Sequence, residues 1–431
     1  MEQSNNYYLC TAMNDDSSIK QVTSDPFAAL RVIQYRNLIT GRFMFVMSLR
    51  MITSVVGWWI YELTNDPLAI GLVGLSEFIP AFIMALYAGH VIDRSEKRNL
   101  MLRSIFVYVC VAGALLFLSG GYIGSHLKNK QIAWCIYGLF VITGLIRSFV
   151  GPSFSTMIAG IVPRHLLQNA ITWNQGAFLT ASVTGHATGG FLIHFIGIHN
   201  TLIVVCSIMS VSMIVLAFLK RQPPVAKPAQ QTTLQSMSEG LRFVFKTKEI
   251  LGALSLDLFA VLFGGAVALV PIYARDILKV GSIGFGWLNA ATDIGAIISV
   301  LTLTFLPMRR NQGKKLMYAV AGFGVCIIIF GLSKWFILSF LALVIAGIMD
   351  GVSVVTRGTI MQLKTPDHVR GRVMSVSSMF INSSNELGQF ESGTMARLLG
   401  VIPSVVFGGC MTIGVVIVTW FKAPSLRKMQ Y

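Results

Sequence analysis

The stretch DRSEKR, Asp93 to Arg98, carries charge on five of its six residues. LAIGLVGLSEFIPAFIMALYAGHVI, residues 68–92, precedes it and NLMLRSIFVYVCVAGALLFLSGG, residues 99–121, follows it, and both are almost wholly apolar. Ions packed this densely need water or lipid headgroups, whereas the flanks need hydrocarbon. Each flank has the roughly 20 residues with which a helix crosses ~30 Å of hydrocarbon. The stretch therefore reads as a short turn at a membrane surface, and the fold follows from how often the pattern recurs.

It recurs along the whole chain. Of 431 residues, 54% are hydrophobic and 12% charged, where soluble domains carry about 25% charge. Mean hydropathy is +0.69. Backbone groups in hydrocarbon have no water to bond, so such spans are helices. With Gly, Pro and charge clusters as punctuation, the sequence predicts about twelve helices. They fall near residues 40–61, 67–92, 99–121, 132–156, 169–192, 198–219, 248–272, 284–306, 316–333, 335–358, 373–396 and 401–421. The expected fold class is an all-α integral membrane protein built as two six-helix pseudo-repeat halves.

The first 34 residues are polar and lack a basic segment followed by an apolar core, so they read as a tail and not as a cleavable signal peptide. KRQPPVAKPAQQTTLQSMSEGLRFVFKTKEI, residues 220–250, has a Pro-rich start and an amphipathic end that suit a linker. The expected organisation is a tail at 1–36, a first half at 37–219, a linker at 220–247, a second half at 248–421 and a tail at 422–431. KRNLM (97–101) after the second helix faces KKLMY (314–318) after the eighth, and VPRHLL (162–167) faces TPDHVR (365–370) at matching places, which suggests duplication. Cys110, Cys135, Cys206, Cys326 and Cys410 fall in apolar segments and Cys10 in the tail. None has metal-ligand spacing, so no disulfide framework, metal site or cofactor is expected.

A net charge of +16 raises the question of nucleic acid. Its distribution answers it. With the N-terminal tail inside, Arg94, Lys97, Arg98, Arg164, Lys220, Arg221, Lys246, Arg309, Arg310, Lys314, Lys315, Arg370, Arg372, Arg427 and Lys428 gather on that side. The other side receives only Lys128, Lys130, Arg275, Lys279, Lys334 and Arg397. This positive-inside bias places both termini in the cytoplasm and makes nucleic-acid binding an unnecessary reading.

Ionisable residues inside spans are costly and must face protein or water. They are Arg50, Glu77, Arg147, His186, Asp257, Asp293, Asp350, Arg357, Glu386 and Glu391; the sixth, ninth and twelfth helices have none. Arg50 and Glu77 sit mid-span on adjacent helices and either pair with each other or contact a substrate. Arg147 has room to snorkel as an anchor. His186 either responds to protonation or bonds a neighbouring helix. Asp350 and Arg357 share one helix face and suit a common network, with an interface anchor as the other role for Arg357. The eleventh-helix run INSSNELGQFES, residues 381–392, contains Asn382, Asn385 and Glu386 and predicts a hydrated surface. Asp257 in LSLDLFAVLFGG has no base nearby in sequence to hold it ionised. It is the first candidate for a proton carrier, with Asp293 and Glu386 next; a structural acid bonded across the repeat interface is its alternative role.

The twelve-span layout resembles the major facilitator superfamily. Gly89-x-x-x-Asp93-Arg94-x-x-Lys97-Arg98 is similar to its signature G-x-x-x-D-R-x-G-R-K, with Glu96 in place of the second Gly. Arg147-x-x-x-Gly151 is similar to a second family motif, and GHATGG, residues 185–190, to its antiporter motif with His186 where Pro is usual. GWWIYELTNDPLAIGLVGL, GLRFVFKTKEILGALSLDLF and MQLKTPDHVRGRVMSV resemble the branch containing the enterobactin exporter and related macrolide and multidrug exporters. The resemblance implies a cytoplasmic gate at DRSEKR, where Asp93 would meet the N-terminus of the eleventh helix. It also implies a proton-transfer role for Arg147.

The expected function is secondary active export of an amphipathic small molecule, drug- or siderophore-like, by proton antiport with alternating access. A lysophospholipid flippase or a proton-coupled uptake symporter is the alternative, and a non-transporting receptor a remote one. No P-loop, H-E-x-x-H or G-x-S-x-G occurs, so no ATP site or hydrolase site is visible. The expected partners are the substrate, protons and the lipid bilayer, in a monomer of the bacterial inner membrane.

Overall fold

The computed structural model describes residues 25–121, 126–221, 233–306 and 311–429; the side chains at 86, 89, 90, 93, 94, 233–237, 367, 368 and 382 lie outside this description. Among the described residues every regular element is a helix. Helix α1 spans Ile33–Thr64 and α2 Pro67–Arg94. Asn65 at the end of α1 is left-handed (φ 49°), the Asp66 carboxylate accepts from the Leu68 amide at 3.0 Å, and Pro67 opens α2. C-cap, N-cap and Pro thus reverse the chain in two residues.

Helix α3 spans Lys97–Leu118 and α4 Asn129–Ile161. Helix α5, Leu167–Ala217, has 51 residues, about 75 Å at 1.5 Å per residue and far more than one crossing needs. It doubles back at Gly197, whose φ of +76° only glycine adopts at little cost. The return is visible at α1: the Tyr35 hydroxyl donates to the Ala170 carbonyl at 2.6 Å, and Ser212 donates to the Gly41 carbonyl at 2.7 Å. The fifth and sixth predicted spans are therefore two limbs of one element, separated by a single residue where a loop was expected.

The amphipathic linker end forms α6, Thr233–Lys246, whose Glu239 accepts from Arg372. Helix α7, Lys248–Phe263, leads through a 3-10 segment at Gly265–Leu269 and a π-helical turn at Tyr273–Ile277 into α8, Gly281–Phe305. Then come α9 (Gln312–Leu332), α10 (Phe336–Lys364), α11 (Asp367–Leu399) and α12 (Val401–Lys422). Among the described residues ten helices are long and apolar enough to cross a membrane. The count differs from the expected twelve because α5 is one element and because α11, a 33-residue helix, is too polar to qualify.

Both described ends of the chain lie at one end of the bundle. The Trp173 indole donates to the Pro26 carbonyl at 2.7 Å near the start of α5, and the Lys220 amide donates to Gln34 at 2.8 Å. Leu426 packs beside Gly252 at the start of α7. We term this the terminal end and the opposite one the far end. Phe117, Trp134, Phe305 and Trp335 are more than two-thirds exposed on the outside, as suits a lipid-facing surface, while Tyr35, Phe45, Phe285 and Phe330 are buried.

The helices before α6 meet those after it along two seams. In one, α2 lies against α11, with Gly71 facing the backbone of Gln389 and Phe390. In the other, α5 lies against α8, where Gly190 and Gly286 let the backbones touch; a Cβ on Gly190 would fall on the Ser282 carbonyl oxygen. Toward the far end Tyr61 donates to Asp276, Arg397 pairs with Asp66 at 3.4 Å, and Trp58 packs on Phe285 at 5.5 Å.

Candidate functional site

Arg50, Glu77, His186, Asp293 and Glu386 each stand 10–14 residues from the far-end limit of their helices at Thr64, Pro67, Gly197, Gly281 and Leu399. At ~1.5 Å per residue that is about 15–21 Å, the middle of a ~30 Å hydrocarbon layer. Five different helices therefore deliver ionisable groups to one depth.

The first cluster is a triad. Arg147 Nη1 of α4 donates to Glu77 Oε1 of α2 at 3.1 Å and to Glu386 Oε1 of α11 at 2.6 Å. Gln389, one turn on, donates to the other oxygen of Glu386 at 3.3 Å. Helices α2 and α4 come close because Gly144 fits under the Glu77 carbonyl, and Ser148 donates to the Ala81 carbonyl at 2.8 Å. The Arg147 side chain is 38% exposed and that of Glu386 8%. Glu77 therefore pairs with Arg147 and not with Arg50, correcting the expectation drawn from their adjacent helices. Nor is Arg147 a snorkelling anchor, because two acids hold it inward.

The second cluster lies on the α5–α8 seam. The Ser182 hydroxyl donates to Asp293 Oδ2 at 2.6 Å. His186 Nε2 is 3.9 Å from the same oxygen, and its Nδ1 is 2.9 Å from Ser54 Oγ of α1. Of its two expected roles, the bond to a neighbouring helix is thus present. Ser54 lies one turn beyond Arg50 on α1, a spacing visible in the sequence.

Asp257 lies elsewhere. It is buried against α10, where Arg357 pairs with it. The base that its sequence neighbourhood lacks is supplied by a helix 100 residues on in sequence. Arg357 is likewise buried and no interface anchor. Asp350 lines a small gap with Asp257 and Ser353, while Arg357 is directed at Asp257, so the expected Asp350–Arg357 network is not the arrangement found. Among the described residues Asn385 donates to the Ile381 carbonyl of its own helix at 3.0 Å.

Of the signature turn, Gly89, Asp93 and Arg94 lie outside the described side chains, as does Asn382. Lys97 is buried and donates to the Ile92 carbonyl at 2.7 Å, and Arg98 donates to the Ala217 carbonyl at the end of α5. Both basic residues thus tie the turn to the helices before α6.

A family described as transmembrane secretion effector matches residues 24–430. The chain is 23% identical over 386 residues to the uncharacterized MFS-type transporter YfiS of Bacillus subtilis (strain 168), covering 86% of this chain and 88% of that protein. It is 22% identical over 355 residues to the multidrug efflux pump Tap of Mycolicibacterium fortuitum, covering 80% and 84%. It is 23% identical over 385 residues to the enterobactin exporter EntS of Shigella flexneri, covering 89% and 90%. Among solved structures, the nucleoside transporter NupG superposes with a TM-score of 0.70 at 15% identity, over 91% of this chain and 99% of that one. A D-xylose-proton symporter does so with 0.68 at 13% identity, over 94% and 99%.

Proposed function

The chain belongs to the transmembrane secretion effector family of major facilitator transporters, and we propose that it exports an amphipathic small molecule across the bacterial inner membrane in exchange for protons. It is a multi-pass membrane transporter and not an enzyme. The observation that carries the reading is one guanidinium shared by two carboxylates from opposite sides of the molecule: Arg147 between Glu77 and Glu386. One cation and two anions leave one negative charge, which a single proton cancels. A substrate or a proton at this site therefore changes the bond that joins the two helix groups, the coupling an alternating-access exchanger needs.

The basic residues at the terminal end support a cytoplasmic placement of that end. Among the described residues the polar bridges between the helix groups run from mid-depth to the far end, which suits an inward-open arrangement. We assign the closing contact of the opposite state to the turn of Gly89, Asp93, Arg94, Lys97 and Arg98 against the start of α11. We take residues 37–219 and 248–421 as the rocking halves, joined by the linker at 220–247. Relatives that include an enterobactin exporter and a multidrug efflux pump support the outward direction and an organic cargo.

Purified protein in proteoliposomes with an imposed pH gradient tests this. Uphill movement of a dye against the proton flux is expected. Dye moving with the proton flux would replace the reading with symport, and no effect of the gradient would remove the protons from it.

A further inference from the structure

Among the helices after α6, a small gap is enclosed by α7, α9 and α10. Asp257 of α7 and Asp350 and Ser353 of α10 give it a polar side, and Val320, Phe323 and Met349 close it with apolar atoms. Its free volume is about 10 Å³, close to the lower limit for a single water. An organic cargo is far too large for it. What fits is one water or one bare ion.

The polar side is unevenly paired. Arg357 matches the charge of Asp257. Asp350 has neither a hydrogen bond nor an ion pair among the described residues. The helices packed against it offer no countercharge there. Helix α8 turns Thr292, Ala296 and Ser299 toward Gly347 and Gly351 of α10, and α9 turns Val320 and Phe323 toward the gap. Asp293 of α8 is engaged by Ser182, and Glu386 of α11 by Arg147. The Ser353 hydroxyl, on a residue 2% exposed, also lacks a hydrogen-bond partner among the described residues. An acid and a buried hydroxyl thus meet one void with their oxygens unmatched, where buried charges are otherwise paired or coordinate a metal.

We propose that Asp257, Asp350 and Ser353 bind a sodium ion in this gap. The ligands are all oxygen, the preference of hard cations. With Asp257 matched by Arg357, one negative charge remains on Asp350, and a single positive charge cancels it. A divalent ion would leave a surplus charge in low dielectric. No three His, Cys, Asp or Glu side chains gather there among the described residues, as a tightly held zinc ion uses. Held by oxygens of both helices, the ion ties α7 to α10. A proton on Asp350 supplies the same charge and therefore competes with sodium. The site is separate from the Arg147 triad, and the inference does not rest on the exchange reading there.

Equilibrium binding of radioactive sodium to the purified full-length protein in detergent decides it, with potassium and choline as competitors at constant ionic strength. One saturable sodium per chain is expected, weaker in acid than in mildly alkaline buffer, and displaced at least tenfold less well by potassium than by unlabelled sodium. Asp350→Asn should weaken binding at least tenfold and Ser353→Ala severalfold, whereas Glu386→Gln is expected to bind sodium like the unaltered protein. The unfolding temperature should rise in sodium relative to potassium, and the rise should vanish in Asp350→Asn. Absence of saturable binding, equal displacement by potassium, or unaltered affinity in Asp350→Asn overturns the proposal. A loss in Glu386→Gln that Asp350→Asn does not share places the ion at the triad and overturns it equally. If Asp350→Asn does not fold, unaltered sodium affinity in Ser353→Ala overturns it instead.

Discussion

Arg147 of α4 and Glu386 of α11 meet at 2.6 Å, and among the described residues this is the shorter of two base–acid approaches that join the early and late helices at mid-depth. His186 and Asp293 stand 3.9 Å apart, a charge contact only when the imidazole is protonated. Both contacts pair a base carried before the linker with an acid carried after it. The two seams thus have the same polarity.

Glu386→Gln leaves Arg147 paired with Glu77 and makes the triad neutral without a proton. Efflux in proteoliposomes is then expected to lose its dependence on the pH gradient while movement down the substrate gradient persists. Gradient-driven accumulation at the unaltered level in this variant would remove Glu386 from the coupling step.

Arg357→Met leaves Asp257 charged and buried without its partner. Removing one member of a buried pair costs about 3–5 kcal/mol. A lower unfolding temperature is expected by intrinsic-fluorescence melting in detergent. The double variant Asp257→Leu, Arg357→Met should regain most of it, because two apolar groups of similar bulk need no partner. An additive double variant would mean that the two side chains do not act as a pair.

Gly190→Val places two methyl groups where the Ser282 carbonyl and Gly286 now lie. Each half should fold, but the α5–α8 seam can no longer close at the far end. Spin labels at far-end sites on α5 and α8 are expected to move apart relative to the unaltered protein. Unchanged distances would show that the seam relaxes by some other route.

Single cysteines test the orientation once the six native ones, Cys10, Cys110, Cys135, Cys206, Cys326 and Cys410, have been replaced. A cysteine at Asn129 should react in intact cells with a membrane-impermeant thiol reagent, and one at Ser425 only after permeabilisation. The reverse pattern inverts the molecule and with it the reading of which end is open.

Helix positions were legible because each span must satisfy its own backbone in hydrocarbon, and the apolar runs report that requirement directly. The start of the second helix at 67 was equally legible, since Pro67 marks it and opens α2. Pairings were not. Glu77 stands opposite Arg147 and Asp257 opposite Arg357 through helix packing, which brings together residues 70 and 100 positions apart. Sequence neighbours such as Arg50 and Glu77 compete poorly once α2 leans toward α4 over Gly144. Helix α11 could be read as polar, yet only packing shows that Glu386 and Gln389 turn toward Arg147 while Asn385 bonds its own backbone.

The single-residue reversal at Gly197 has a mechanical side. A loop absorbs tilt like a slack tether, whereas a one-glycine hinge passes force from limb to limb. The limb holding His186 against α8 and the limb pinned to α1 through Ser212 share that hinge. A tilt applied at the α8 seam would therefore arrive at the start of α1 as a lever's stroke, carrying Arg42 and the attached N-terminal segment with it.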